Sequence, residues 1–482
     1  MHDEAALLAG YPAPVLVSAE RVASESADDR RVLVVLDDDP TGTQSVADLP
    51  VLTAWAPEDF RWAFAQHTRA IYVLTNTRSL GADAAAERIR EVVAAAAAVA
   101  TELGLPIVFV SRGDSTLRGH FPLETDVIAG SVSTPPDAVV IVPAFPDAGR
   151  ITIGGVHYLR SDQALIPVAE TEFARDATFG YLHSDLSQWV EERTAGRWTS
   201  DAVIHIALDT LRRGPDAIAA VLLPLTGGVP VVVDTVTEDD LRLLALGMLR
   251  AERAGRTLLY RVGPPFVRAV IGQAVRAPLT APEIYGERGS EAIGGLIVVG
   301  SHVGLTSRQL DCLTERGRLA ATLELDIDRV LDPTTSARHR ESLVAEAVDA
   351  LGRGDVVVHT SRLLRSVDDA AGSLEIARRV SAAVVTVVKD ICAVTVPRFV
   401  VAKGGITSSD IASKALGIRH AIVRGPMLPG IVSLWQPVGG AADGIPYVVF
   451  AGNVGDDESL ATVVHTLSRP IAERLPHESS TT

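Results

Sequence analysis

Cysteine is scarce in this chain. Its 482 residues include only Cys312 and Cys392, which lie far apart without metal-ligand spacing, so neither a disulfide framework nor a zinc site is indicated and both thiols are expected to be packing residues. An excess of basic residues is also missing. A formal net charge of −16 argues against an extended nucleic-acid or anionic-membrane surface, because either requires a basic field. Long apolar runs are absent too: the stretch from Val92 to Ala100 is too short to span a bilayer. The opening residues Met1-His2-Asp3-Glu4 lack the basic region of a secretion signal, so a cytoplasmic location is expected. Finally, there is no G-x-x-x-x-G-K-[ST] and no G-x-G-x-x-G. The first absence excludes the ordinary P-loop, and the second weighs against a nicotinamide-dependent hydroxyacid dehydrogenase.

What is present is a well-buried globular chain, 47% hydrophobic and 22% charged, too long for one ordinary core and expected to form two domains. The stretch Val401 to Ser409 organises the reading. An apolar run, Phe399-Val400-Val401-Ala402, breaks at Gly404-Gly405 into hydroxyl residues ahead of the apolar-periodic Ile411, Ala412, Ala415 and Leu416. A strand, a glycine turn and a helix start of this kind can bring backbone N–H groups against a phosphate, although most such turns are plain connections.

Upstream, four apolar strands end in polar loops. Residues 31–36 lead into Asp37-Asp38-Asp39-Pro40-Thr41-Gly42, and 70–74 into Asn76-Thr77-Arg78-Ser79. Residues 106–110 lead into Asp114-Ser115-Thr116-Leu117-Arg118-Gly119, and 138–142 into Pro143-Ala144-Phe145-Pro146-Asp147-Ala148-Gly149-Arg150. Near-continuous apolar strands alternating with helices predict parallel sheets covered on both faces, with the ligand crevice at the carboxyl ends of the strands. The expected fold is therefore α/β: two α/β domains with mainly parallel sheets and an active-site cleft between them. Domain boundaries are expected at 1–276 and 295–482, joined by the Pro-, Gly- and charge-rich linker 277–294.

Any one of these loop charges is more often a solvated turn residue. Their recurrence at one edge places Asp37, Asp38, Arg78, Asp114, Ser115, Arg118 and Arg150 around one pocket. Arginine forks take a carboxylate and carboxylates take hydroxyls, so the expected ligand is a small polyhydroxy acid. Residues 168–176 could reach over this pocket, although an exposed excursion is the plainer reading. His157, His183 and His205 have no ligand spacing and are read as structural. In the second half, a strand at 295–300 followed by Ser301 and the capping candidates Thr306 and Ser307 offers a second anion cradle. Acids and arginines in one half with glycine and hydroxyl turns in the other suggest phosphoryl transfer from a nucleotide to a sugar-acid hydroxyl.

Together, the Asp37–Gly42, Asn76–Ser79, Asp114–Gly119 and Pro143–Arg150 motifs resemble the four-carbon acid sugar kinase family. The resemblance continues through Gly300-Ser301, Gly404-Gly405-Ile406-Thr407-Ser408 and Gly452-Asn453-Val454-Gly455. It implies an N-terminal sugar-acid domain and a C-terminal ATP domain. Nucleotide contacts would fall on Ser301, Gly404, Gly405, Ile406, Thr407, Gly452 and Asn453, with Mg2+ implied only by the use of ATP. Asp38 is the expected proton acceptor and Asp114 its rival; the metal ligands are unassigned. The partners implied are a small-molecule sugar acid and ATP, with a homodimer admitted and neither nucleic acid nor membrane expected. Two departures stand out. Ile406 occupies a position where the family commonly has an acid, and Asn76 replaces a usual Asp. A non-catalytic metabolite-binding or regulatory protein with a decayed nucleotide site is therefore the competing reading.

Overall fold

Apolar runs without polar alternation become strands buried on both faces. The computed structural model describes residues 2–161, 164–286, 292–301, 303–361 and 370–469. It divides into two units, Met1–Ala277 with Ile418–Ser433, and Pro278–Gly417 with Leu434–Thr482.

In the first unit, β1 (Val32–Asp37), β2 (Leu49–Leu52), β3 (Ala70–Leu74), β4 (Ile107–Arg112) and β5 (Ala138–Val142) belong to a sheet that the chain then leaves. Strands β6 (Arg150–Ile153), β7 (Val156–Arg160) and β8 (Leu165–Pro167) make a separate antiparallel sheet. The chain returns to the main sheet with β9 (Ile204–Ile206), β10 (Val229–Val233) and β11 (Leu258–Val262). The order is β2-β3-β1-β4-β11-β5-β10-β9, and every pair is parallel. The Ala-rich helix Ala82–Leu103 turns one stripe (Ile89, Val92, Val93, Ala96, Val99) onto Val34, Ile71 and Val73. Gly104, at φ +65°, ends that helix in the left-handed conformation that glycine adopts without a Cβ penalty.

The second unit repeats the logic with β12 (Leu296–Val299), β13 (Leu319–Leu325), β14 (Asp355–Thr360) and β15 (Val400–Lys403). After β16 (His420–Leu428) and β17 (Ile431–Pro437) comes β18 (Tyr447–Phe450). The order β13-β14-β12-β15-β18 is again parallel. Two α/β units with mainly parallel sheets are thus what the strand pattern predicts. Among the described residues no helix is long and apolar enough to cross a membrane.

Three details differ from the linear reading. Within the stretch read as a linker, Ala281–Tyr285 forms a helical turn because Thr280 and Glu283 make a capping box around Pro282. Helical structure after the glycine pair begins at Gly405 and continues as a π-turn over Ile411–Ala415, earlier than the apolar period indicates. Residues His420–Leu428, for which the linear reading predicts no element, form β16, which lies antiparallel on the β2 edge with His420 opposite Leu52 and Val423 opposite Leu49.

A buried carboxylate holds that returning strand. Asp59, 0% exposed, accepts from Arg419 at 2.8 Å and His420 Nε2 at 2.7 Å, and His420 stacks on Trp62 with ring centroids 4.4 Å apart. Removing one partner from a buried pair leaves the other uncompensated, at about 3–5 kcal/mol. Asp59→Ala is expected to destabilise the protein by roughly that amount, and denaturant unfolding with hydrogen exchange along residues 418–423 would show it.

Candidate functional site

The loops that follow β1, β3 and β4 leave the carboxyl edge of the first sheet together, and their charges interlock. Arg112, at the end of β4 and 2% exposed, bonds Asp37 through Nε and the Asp39 carbonyl at 2.5 Å, and its Nη1 lies 3.4 Å from Asp38. Arg78 grips Asp38 with both arms of its fork, at 2.6 and 3.1 Å, and lies 3.6 Å from Asp39. A bidentate fork fixes a carboxylate in direction as well as distance. Asn76, which precedes this turn, holds φ +52°, a left-handed conformation that Asn and Asp tolerate better than most side chains. The replacement at this position therefore preserves the backbone requirement.

The loop after β4 adds the next layer. Arg118 Nε donates to Asp114 at 2.7 Å, the Thr116 hydroxyl donates to the same carboxylate, and Arg78 acts on it electrostatically. Leu117, buried, sits at φ +68° between them, a strained position of the kind that clusters at functional loops. Ser115 is held from below. Its carbonyl accepts from His157 Nε2 at 2.8 Å, and His157 Nδ1 accepts from Thr152 at 2.9 Å, so the ring is neutral with its proton on Nε2. Burial pulls His157 down to about 4. It is structural, as its lack of ligand spacing suggests, and its task is to position the Ser115 loop.

Arg150 differs from its neighbours. It is buried and feels both Asp114 and Arg118, yet it makes no ion pair among the described residues. Its Nη1 donates to the Ala148 carbonyl at 2.6 Å, and its buried Nε has no hydrogen-bond partner. The segment 168–176 does reach this region: Phe173 lies under the Arg118 guanidinium at 5.1 Å, and Asp176 is 3.7 Å from it.

The electrostatics separate the acids. Burial pushes the Asp37 carboxyl up to about 7 against the pull of Arg112. Burial also opposes ionisation of Asp114, but Arg118, Arg78 and the Thr116 hydroxyl overcome it and hold Asp114 far below the usual carboxylate range. Asp39 is likewise lowered, with Arg78 and Arg112 outweighing its burial. Close packing allows all this only because Gly42 has no side chain. A Cβ there would fall on the Asp37 carboxylate and on Arg112 Nε. Gly42→Ala is expected to cost about 1–3 kcal/mol of stability through overpacking and to disorder the Asp37–Arg112 pair, both readable from thermal melts and arginine side-chain NMR.

A second constellation lies in the other unit. The Thr306 hydroxyl donates to the Gly452 carbonyl at 3.0 Å and its oxygen lies 3.2 Å from Ser301 Oγ. A Cβ on Gly404, which holds φ +123°, would lie 3.1 Å from Thr407 Oγ1 and 3.3 Å from Ser301 Cβ, and one on Gly452 would lie 2.6 Å from Ser301 Oγ. Ser301 thus lies against both Gly404 and Gly452, and Thr407 against Gly404, at the ends of β12, β15 and β18, with Gly405 opening the helix Gly405–Asp410. Asn453 follows Gly452 and is half-buried. The side chain of Ile406 lies outside the described residues. Glycines at strand ends beside hydroxyl side chains and a helix start are the chemistry that suits phosphate oxygens.

The structure brings together Asp37, Asp38, Arg78, Asp114, Ser115, Arg118 and Arg150 in one unit. It adds Arg112, Asp39 and Asp176, none of which the linear reading placed in the pocket. Arg112 had a signal, since it is the last residue of a strand running into Gly-Asp-Ser-Thr. Behind it, Glu124 collects the Thr77 hydroxyl at 2.5 Å, Ser111 at 3.1 Å and the Arg261 guanidinium at 2.5 Å. Glu124 sits in the first turn of the helix Leu123–Ser131 and Arg261 next to last in β11, 137 residues apart, and the sequence gives no hint of their meeting.

Residues 33–270 match a family model described as a sugar-binding N-terminal domain, and residues 296–460 match one described as a nucleotide-binding C-terminal domain. The chain belongs to the four-carbon acid sugar kinase family. It is 27% identical over 423 residues to the D-erythronate kinase of Heliobacterium modesticaldum, covering 85% of this chain and 89% of that one. It is 27% identical over 439 residues to the D-threonate kinase of Bordetella bronchiseptica, covering 88% and 95%. A D-threonate kinase of Cupriavidus necator is 30% identical over 223 residues, covering 42% of this chain and 44% of that one. The fold is shared with a crystal structure from Salmonella typhimurium LT2, at a TM-score of 0.64 and 19% identity over 89% of this chain and 98% of that one. In this family setting the two constellations fall one in each matched domain.

Proposed function

We propose that the protein is an ATP-dependent kinase that transfers a phosphoryl group to a hydroxyl of a four-carbon sugar acid. The observation that carries this reading is the pairing of Arg150, an arginine without a carboxylate partner among the described residues, with a strongly ionised Asp114 in the domain that matches a sugar-binding model. A cation with unused donors suits the substrate carboxylate, and a carboxylate that stays ionised suits the substrate hydroxyls. The relatives named above act on D-erythronate and D-threonate, and each offers this set of groups.

In the proposed reaction, the attacking hydroxyl forms a bond to the terminal phosphorus of ATP as the bridging P–O bond to ADP breaks. The hydroxyl proton passes to a carboxylate. Asp38 is assigned as acceptor: Arg78 fixes the direction of this buried carboxylate, and the glycine at 119 adds no side chain against it, since a Cβ there would come within 3.0 Å of Oδ2. Asp114 is too strongly stabilised as an anion to take the proton readily, because a base works best with a pKa near the operating pH; it orients the acid instead. Arg118 holds Asp114 and borders the pocket, and Ser115 offers a hydroxyl. On the nucleotide side, Ser301, Gly404, Gly405, Ile406, Thr407, Gly452 and Asn453 are assigned to the phosphates. Among the described residues no group of three or more His, Cys, Asp or Glu could hold a metal. Magnesium commonly arrives on the phosphates and needs only one or two carboxylates, so the residues present fit delivery as MgATP rather than a resident ion.

Calorimetry of ATP with the intact protein, with and without magnesium, tests the reading against a non-catalytic binding protein. Micromolar to millimolar binding strengthened by magnesium is expected, and no detectable binding in either condition would remove the kinase assignment.

A further inference from the structure

Lys403 ends β15 and is 0% exposed. Burying an ammonium is costly unless another charge or a full set of acceptors compensates. Lys403 has neither. Among the described residues it makes no ion pair, and of its three donors one is used, toward the Ala451 carbonyl at 2.7 Å. The ammonium also lies 3.9 Å from the centroid of the Phe450 ring, whose face attracts a cation without discharging it. The surrounding sequence supplies no acid: none occurs from Phe399 to Ser409. The first one after that, Asp410, is taken by Lys414 at 2.7 Å and Ser381 at 2.6 Å.

Its location gives this isolated charge a meaning. Lys403 directly precedes Gly404, and the carbonyl it bonds directly precedes Gly452. Those two glycines both pack against Ser301, in the cluster assigned to the nucleotide phosphates. We propose that Lys403 is a further nucleotide-positioning residue, whose buried ammonium is the counter-charge for a phosphate of the bound nucleotide and gains its proton as that phosphate docks. This inference rests on the nucleotide reading of the second unit.

The sign follows from the environment. Burial alone brings Lys403 down to about 7, so at pH 8 the free protein holds it mainly neutral, and an anion beside it restores the charged form. A ligand that prefers the protonated form binds best below the free pKa and loses affinity as pH rises above it. The elements in most extensive contact with β15 include β12, β18 and the helix Gly405–Asp410. Strand β12 carries no titratable side chain. On β18 the Tyr447 hydroxyl is donated to the Ser408 carbonyl at 2.5 Å and is held well above its usual range by burial. Asp410, at the end of the helix, is paired as described.

The test is calorimetry of ATP, without magnesium, into the intact protein at pH 8 in two buffers of different ionisation enthalpy, for the native chain and Lys403→Met. The native chain is expected to take up close to one proton more than the variant. The variant is expected to bind ATP about tenfold or more weakly, the equivalent of one pKa unit of differential interaction. Equal affinity and equal proton uptake would overturn the proposal. Should the variant fail to fold, the native chain alone decides. A fall in ATP affinity approaching tenfold per unit between pH 7.5 and 9 is expected, and a flat profile overturns the proposal. If the native chain binds no ATP at any pH, the nucleotide reading itself fails, an outcome distinct from native binding that is indifferent to Lys403.

Discussion

Asp38→Asn is expected to lower kcat by about 10²–10⁴-fold, the usual contribution of a positioned general base, while leaving the Kd for ATP unchanged. The side chain keeps its shape and loses its ability to take a proton. Arg78 loses the charge it grips at 2.6 Å but keeps Asp39 at 3.6 Å and the field of Asp114, so the loop retains a cation–anion balance. Thermal melting of the variant separates a chemical loss from a folding loss. Asp114→Asn provides the contrast. Because Asp114 is held ionised by Arg118 and Arg78, its neutral replacement should act mainly on sugar-acid affinity. If instead Asp114→Asn abolishes turnover and Asp38→Asn leaves it intact, the two roles are exchanged.

Arg150→Ala is expected to weaken sugar-acid binding by about two orders of magnitude, since a buried hydrogen-bonded charge pair loses 2–5 kcal/mol when one partner is truncated, and to leave ATP binding untouched. Arg118→Ala should weaken it less. The reason is commitment: Arg118 already spends its Nε on Asp114 at 2.7 Å and faces Asp176 at 3.7 Å, whereas Arg150 has a buried donor with no partner. Calorimetric titration with D-erythronate and D-threonate ranks the two. Equal loss of ATP and acid affinity in either variant would point to a folding defect instead.

The parts of this molecule that sequence reveals are those dictated by local chemistry. Strands such as Ala70–Leu74 and Ala138–Val142 are legible to the residue because a doubly covered parallel strand needs an unbroken apolar run. The charged loop residues at their ends can be expected to gather because the topology sends all such loops to one edge. What stays hidden depends on pairings across long separations. Strand β2 is four residues of Leu-Pro-Val-Leu that no period identifies, and β16 reaches it from about 370 residues downstream, joined by Asp59 to Arg419 and His420. Arg112 and Lys403 were concealed differently. Each ends a strand, where a lone charge reads as the start of a loop, and only the structure shows that Arg112 braces Asp37 and Asp38 and that Lys403 has no counter-ion among the described residues. Gly42 reads as a turn residue, and only the packing shows that a methyl group there would meet Asp37 and Arg112.

The most direct measurement offers the purified protein ATP, magnesium and a panel of four- to six-carbon sugar acids that includes D-erythronate and D-threonate, and follows ADP release alongside phosphorus NMR of the products. The account predicts that at least one four-carbon acid is consumed with one ADP formed per phosphorylated acid, and that Arg150→Ala loses this turnover at substrate concentrations that saturate the native protein. Tight binding of ATP with no acid in the panel phosphorylated would contradict it.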